Sequence, residues 1–165
     1  MIEKIRIASP SEDELLTEIA FSAKRTWNYP EEYYKIWEKE LTITKDYIDK
    51  NIVFVAERGK QVVGFYSIVL FNGDHIVDNI SIESGYWMDH IFVKPNYQKK
   101  GIGRRLMQHA LNYCKENWID ELRVFVDPHV IDFYEKSGAR FIRNSPSSIE
   151  GREIPVYGFN LEINL

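Results

Sequence analysis

Apolar and polar residues alternate at the start of the chain. Ile2, Ile5 and Ile7 are separated by Glu3, Lys4 and Arg6, which predicts a short strand closed at Ala8-Ser9-Pro10. Ser11-Glu12-Asp13-Glu14 then carries a helix start signal, and Leu15, Leu16, Ile19, Ala20 and Ala23 give the helix one apolar face. Pro30-Glu31-Glu32 repeats the start signal for a second helix through about Lys39. Ile52–Ala56 and Val62–Phe71 read as two arms of a hairpin around Arg58-Gly59-Lys60-Gln61. Asn72-Gly73-Asp74 ends the second arm, and His75–Ser84 carries no decided pattern. Tyr86–Val93 is a further strand, stopped at Lys94-Pro95.

The period then changes to that of a helix. Leu106, Met107, Ala110, Leu111, Cys114 and Trp118 form an apolar stripe on a long helix beginning near Gly103. Leu122–Val126 reads as a strand, Pro128–Ser137 as a helix stopped by Gly138, and Phe141-Ile142 and Val156–Ile163 as closing strands. The order is strand, two helices, three strands, helix, strand, helix, two strands. It predicts an α/β protein with a mixed sheet, formed as a single domain over residues 1–165.

Composition supports this class without adding a partner. Of 165 residues, 44% are hydrophobic and 28% charged, so the chain can bury a core and is not disordered. A net charge of −4 with no long basic block argues against nucleic acid or an anionic membrane. The longest apolar run, Val62–Phe71, is about half of the ~20 residues a membrane helix needs. The single Cys114 cannot form an intramolecular disulfide, and a charged N-terminal segment is no signal peptide, so a cytoplasmic location is expected.

The most informative stretch is Val93-Lys94-Pro95-Asn96-Tyr97-Gln98-Lys99-Lys100-Gly101-Ile102-Gly103-Arg104-Arg105-Leu106. A strand ends at a proline, a loop turns on two glycines, and an amphipathic helix begins at once. The first N–H groups of such a helix lack intrahelical acceptors and lie at the positive end of its dipole. Gly101 and Gly103 carry no Cβ to hold an anion away, and Lys99, Lys100, Arg104 and Arg105 add positive charge. The physical reading is a diphosphate cradle. A dinucleotide fingerprint would need glycine where Leu106 stands, and a P-loop would need Lys and Ser/Thr after Gly103. A tight strand-to-helix turn with solvated lysines is the bland alternative.

Val93-x-Pro95 followed by Gln98-x-x-Gly101-x-Gly103-x-x-Leu106 resembles the acyl-CoA signature of the GNAT acetyltransferases. Phe133-Tyr134-Glu135-Lys136-Ser137-Gly138-Ala139-Arg140-Phe141 is similar to the family's Phe-Tyr-Glu-Lys-x-Gly-Phe segment, in the same order along the chain. Two departures stand out. The family often has Asn where Asp127 stands, and here Ala139 and Arg140 separate Gly138 from Phe141.

The resemblance implies the GNAT fold, with a splayed central mixed sheet flanked by helices, and an acetyl-CoA-dependent N-acetyltransferase. Ile91, Phe92 and Val93 would offer backbone groups to the pantetheine arm. The diphosphate would rest on the amides of Gln98, Lys99, Lys100, Gly101, Ile102, Gly103 and Arg104. Asp127 and Lys136 fall at further cofactor-binding positions. Tyr134 matches the tyrosine placed beside the CoA sulfur and is assigned the general-acid role.

The chemistry also needs a base, because an alkyl amine with a pKa of about 10 is mostly protonated at neutral pH. Asp89 and His90 occupy the strand leading to Val93 and point to opposite faces. His90 is preferred because an imidazole is the side chain best suited to take a proton near neutral pH; Asp89, alone or through water, stays open.

The remaining chemistry is sparse. His75, His90, His109 and His129 show no zinc-site spacing, so no metal is expected. Cys114 lies on the apolar stripe, and without a nucleophile near the motif direct transfer is expected. Trp27, Tyr29, Tyr33, Tyr34 and Trp37 form an aromatic cluster read either as core or as an acceptor-pocket wall. Arg152, in the polar loop Ser145–Pro155, either holds an acidic group of the acceptor or is a solvated turn arginine. The expected acceptor is an amine of a small molecule or peptide whose identity the sequence does not give. A homodimer is compatible with the aromatic content, its interface unplaced. The competing reading is an acyl-CoA sensor with the same fold and no turnover.

Overall fold

The computed structural model describes residues 4–162. A mostly antiparallel seven-strand sheet is flanked by helices. Its strands are β1 (Lys4–Ile7), β2 (Ile52–Arg58), β3 (Gln61–Phe71), β6 (Gly85–Val93), β7 (Glu121–Phe125), β8 (Arg140–Pro146) and β9 (Glu153–Asn160). Their spatial order is β1-β2-β3-β6-β7-β9-β8. One pair is parallel: Tyr86, Trp87 and Met88 of β6 with Leu122, Arg123 and Val124 of β7. A separate two-strand hairpin, β4 (His75–Val77) with β5 (Ile80–Ile82), resolves the undecided segment. The expected mixed α/β class is what the chain forms.

By compactness the chain divides into two units, residues 1–68 with 90–109 and residues 69–89 with 110–165. In the first, α1 (Asp13–Lys24) buries Leu16, Ile19, Ala20 and Ala23, while Leu15 is half-buried. A short 3-10 turn at Pro10–Glu12 precedes it, and the Ser9 N–H donates to Glu12 Oε1 at 2.8 Å, closing the helix entry. α2 (Glu31–Leu41) buries Tyr34, Trp37 and Leu41. Tyr34 and Trp37 are therefore core residues, and Tyr29 meets Trp37 edge-on at 5.0 Å between ring centroids. Trp27 is exposed.

One helix was not legible in the sequence. α3 (Lys45–Lys50) is six residues long, capped by Thr44 accepting from the Tyr47 N–H, and buries only Ile48. One apolar contact gives no period to read. The hairpin of β2 and β3 turns on Gly59 and Lys60, both with positive φ (57° and 67°), the primed turn that matches strand twist. β3 is buried continuously from Val62 to Ile68.

α4 (Ile102–Glu116) places Leu106, Met107, Ala110 and Cys114 in the core as the stripe predicts. Trp118 departs from it. Its φ is 60°, and Ile119 N–H donates to Cys114 O at 2.9 Å, so Trp118 holds the left-handed position of a helix-ending motif and stands 64% exposed.

In the second unit, α5 (Ile131–Lys136) follows a 3-10 turn at Pro128–Val130 and ends the same way at Gly138, φ 103°. Ala139 N–H donates to Tyr134 O at 3.0 Å and the Ala139 side chain is buried, which accounts for a small residue after Gly138. β9 begins earlier than expected, at Glu153, and ends at Asn160; Ile163, like Ile2, lies outside the described residues.

Candidate active site

The glycine turn of the first unit is built by short, specific bonds. Pro95–Tyr97 forms a 3-10 turn after β6, and Lys94 N–H donates to Val63 O at 2.8 Å, fixing the end of β6 to β3. Gln98 then closes the loop on the strand: its side-chain amide donates to Val93 O at 3.1 Å and its N–H to Pro95 O at 3.3 Å. The Gln98 backbone N–H and side-chain amide are thus both engaged within the turn. The turn is completed by Lys99 (φ 60°) and Gly101 (φ 84°). A Cβ at Gly101 would meet nothing within 4 Å, so the space outside this glycine is open.

The first helical bond recruiting this turn runs from Arg105 N–H to Gly101 O at 3.1 Å. The N–H groups of Ile102, Gly103 and Arg104 precede it and have no intrahelical acceptor. Ile102 is buried and pins the first turn, while Lys99, Lys100, Arg104 and Arg105 are exposed. Among the described residues none of these four cations forms an ion pair. Open space, outward amides and unneutralised charge converge on one turn, an arrangement suited to a phosphate-bearing ligand.

β6 carries the strand residues named from the sequence. Val93 is buried, and Ile91 and Phe92 are half-buried. Gly64 on β3, which the sequence analysis did not single out, lets the two strands approach: a Cβ there would stand 2.8 Å from Phe92 O and 3.4 Å from Val93 Cα. A lone glycine inside a strand was the available signal. His90 is buried, its ring 5.6 Å from that of Phe92, 6.2 Å from Phe65 and 6.1 Å from Tyr47 of α3. Tyr47 in turn donates to Ser67 Oγ at 2.9 Å. Asp89 is exposed, on the opposite face as the strand period requires.

The second unit gathers a different set. Tyr134 is buried on α5, and burial together with the charge of Asp127 pushes its phenol well above the usual tyrosine range. Its hydroxyl makes no hydrogen bond among the described residues. No fully buried side-chain oxygen among them lacks a partner, so this oxygen reaches accessible surface although its ring is buried. Asp127 Oδ1 accepts from His129 N–H at 3.0 Å and from His129 Nδ1 at 2.9 Å. Its Oδ2 stands 3.9 Å from the Arg152 guanidinium. The Arg152 side chain is largely shielded from solvent and faces Asp127. His129 was not a sequence candidate, because its role comes from a 3-10 turn that returns its ring to the carboxylate. Lys136 is exposed in the last turn of α5.

Cys114 is fully buried on α4, and burial pushes its thiol up to about 11. Among the described residues no three His, Cys, Asp or Glu side chains are grouped to hold a metal, and no helix is long and apolar enough to cross a membrane.

The chain is 35% identical over 57 residues to an uncharacterized N-acetyltransferase of Prochlorococcus marinus, covering 34% of this chain and 31% of that protein. It is 21% identical over 112 residues to an uncharacterized N-acetyltransferase of Gracilaria tenuistipitata var. liui, covering 68% of this chain and 54% of the other. The matches thus span about a third and about half of these relatives' lengths. The PaiA N-acetyltransferase of Thermoplasma acidophilum, solved in complex with coenzyme A, shares the fold with a TM-score of 0.70 at 22% identity, over 97% of this chain and 99% of that one. The family model for acetyltransferases of the GNAT family matches residues 15–139, three quarters of the chain, and on that ground the chain belongs to the GNAT acetyltransferase family.

Proposed function

We propose that the chain is an acetyl-CoA-dependent N-acetyltransferase that passes the acetyl group directly to a primary amine of a small molecule or peptide, in the cytoplasm. The observation that carries this reading is the turn at Lys99–Arg105, where a left-handed glycine with open space outside it precedes three amides without helical acceptors, bordered by four cations that form no ion pair among the described residues. Coenzyme A bound to the Thermoplasma protein of the same fold supports it.

In this reading the amides of Ile102, Gly103 and Arg104 bind the diphosphate, with Lys99, Lys100 and Gly101 bordering it. Backbone groups of Ile91, Phe92 and Val93 hold the pantetheine arm, and one N–H polarises the thioester carbonyl as negative charge develops on its oxygen. The amine nitrogen forms its bond to the carbonyl carbon, the C–S bond breaks with its electron pair on sulfur, and Tyr134 donates its hydroxyl hydrogen to that sulfur. A phenol held above its usual range stays protonated at neutral pH and is always available as donor. The proton lost by the amine goes to His90, with Asp89 as the competing base. Asp127 and Lys136 complete the cofactor-binding set.

Calorimetry with CoA and thiol release from acetyl-CoA over a panel of amines test the proposal. The expected result is CoA binding, release with at least one amine, and a loss of about 10²–10⁴ in kcat for Y134F. Binding without release for any amine would instead identify a sensor of acyl-CoA.

A further inference from the structure

Positive charge is segregated along this chain. Acids outnumber bases 25 to 21, yet no Asp or Glu occurs from Arg58 to Gly73 or from Lys94 to Lys115. The fold of the first unit brings these two stretches together at one ring, that of Tyr97 in the 3-10 turn before the glycine turn. Arg58 ends β2, and its Cζ lies 5.7 Å from the Tyr97 ring centroid. Lys100 Nζ lies 5.7 Å from the same centroid. Two cations that repel each other thus share one aromatic side chain.

No carboxylate of the described residues neutralises the pair. Neither Arg58 nor Lys100 forms an ion pair among them, and both are exposed. Glu57, the acid next to Arg58, is bonded by Arg6 at 2.6 Å. Glu18 lines an open groove of about 470 Å³ together with Tyr97 and Lys94, and it pairs with neither cation. The ring itself is fixed. Its hydroxyl donates to Gln61 Oε1 at 3.2 Å, tying the turn before α4 to the first residue of β3, and Tyr97 N–H donates to Lys94 O at 2.8 Å. Replacing either cation leaves these bonds in place, so charge and loop structure are separable by mutation.

We infer that Arg58 and Lys100, held on Tyr97, form a second phosphate subsite for a monoester carried one ribose away from the diphosphate, which on coenzyme A is the 3′-phosphate. This assignment rests on the reading of the Gly101 turn as the diphosphate seat. Lys100 adjoins Gly101 in the chain, which sets the subsite next to that seat. A phosphate monoester carries a charge of about −1.5 to −2 at neutral pH, matched by two cations. The planar Arg58 guanidinium can bond two of its oxygens at once, and the Lys100 ammonium adds a point charge. Arg58 comes from the β2–β3 hairpin, outside both sequence motifs, so the subsite joins segments that no local pattern connects.

The test is calorimetry on the full chain with CoA and 3′-dephospho-CoA, which differ only in that phosphate. The parent is expected to bind CoA at least about tenfold more tightly than the dephospho form. R58A and K100A should each weaken CoA about tenfold while leaving the Kd for 3′-dephospho-CoA within about twofold of the parent. K60A removes another exposed lysine of the same hairpin turn and should leave the preference for CoA intact. G101A, at the diphosphate seat, should weaken both ligands alike. A parent that binds the two ligands equally overturns the inference. So does an equal loss for both ligands in R58A and K100A, or a loss of preference in K60A as large as in R58A, which would leave only a diffuse positive field. If neither ligand binds the parent, the reading of the glycine turn fails first, and the subsite falls with it.

Discussion

Replacing Gly101 by alanine separates a turn glycine from a ligand-binding glycine. Its φ of 84° lies in the left-handed region, so alanine pays a backbone cost of about 1–2 kcal/mol there. The added methyl group meets nothing within 4 Å, so no steric cost is added in the free protein. For a chain of this length the strain should lower Tm by about 2–8 °C. The same methyl group would stand in the open space where the proposed diphosphate comes to the amides of α4. Losing or lengthening one hydrogen bond to a charged oxygen costs about 1.5–3 kcal/mol, which weakens CoA binding roughly 10- to 150-fold. Gly59 supplies the matched control, with φ 57° in the β2–β3 turn and nothing within 4 Å of its added Cβ. G59A should show a similar fall in Tm and an unchanged Kd for CoA. Thermal melts and calorimetry with CoA on the two variants decide the matter. If G101A binds CoA within about twofold of the parent while losing the expected stability, the glycine serves the turn only and the cradle reasoning is refuted.

Other expectations follow from packing and charge. G64A pushes a Cβ to 2.8 Å from Phe92 O, a backbone atom that cannot swing aside, and should destabilise the fold by about 1–3 kcal/mol in urea denaturation. The Arg6 guanidinium, bonded to Glu12 at 2.7 Å and 3.0 Å, holds the Glu12 carboxyl below its ordinary value of 4.5. Because the folded pKa is the lower one, this stabilisation is complete above about pH 4.5 and is lost as pH falls through the folded value. E12Q should therefore cost about 1–3 kcal/mol at pH 7, with the gap to the parent narrowing in melts taken below pH 4.5. Cys114, buried and with its thiol pushed up to about 11, should resist a disulfide reagent at neutral pH until denaturant is added; prompt reaction in the native state would contradict its packing.

The elements legible in the sequence were those whose signal is local. The apolar stripe of α4, the turn at Gly59-Lys60 and the stop at Gly138 each follow from side-chain period or backbone freedom over a few residues, and the structure forms them at those places. The Gly101 turn also announced itself, since a strand, a proline, two glycines and an amphipathic helix in succession set a tight strand-to-helix turn whose first N–H groups lack helical acceptors. What escaped depends on contacts made elsewhere in the chain. α3 has a single buried residue and is held by its Thr44 cap, and Trp118 leaves its predicted stripe because the helix ends in a left-handed residue there. Gly64 matters only because β6 lies against it, and the Arg152–Asp127 pair joins residues 25 positions apart through a hairpin whose path no periodicity records. Sequence by itself thus determined the class of fold, the family motifs and the backbone shape of the glycine turn. Tertiary structure decided which charges face one another, which rings are core, and how a loop arginine comes to face the Asp127 carboxylate. The physical division is one of range. Dihedral preference and side-chain period act over a turn or two of chain, whereas charge pairing and close packing act through space and exist only once distant segments have met.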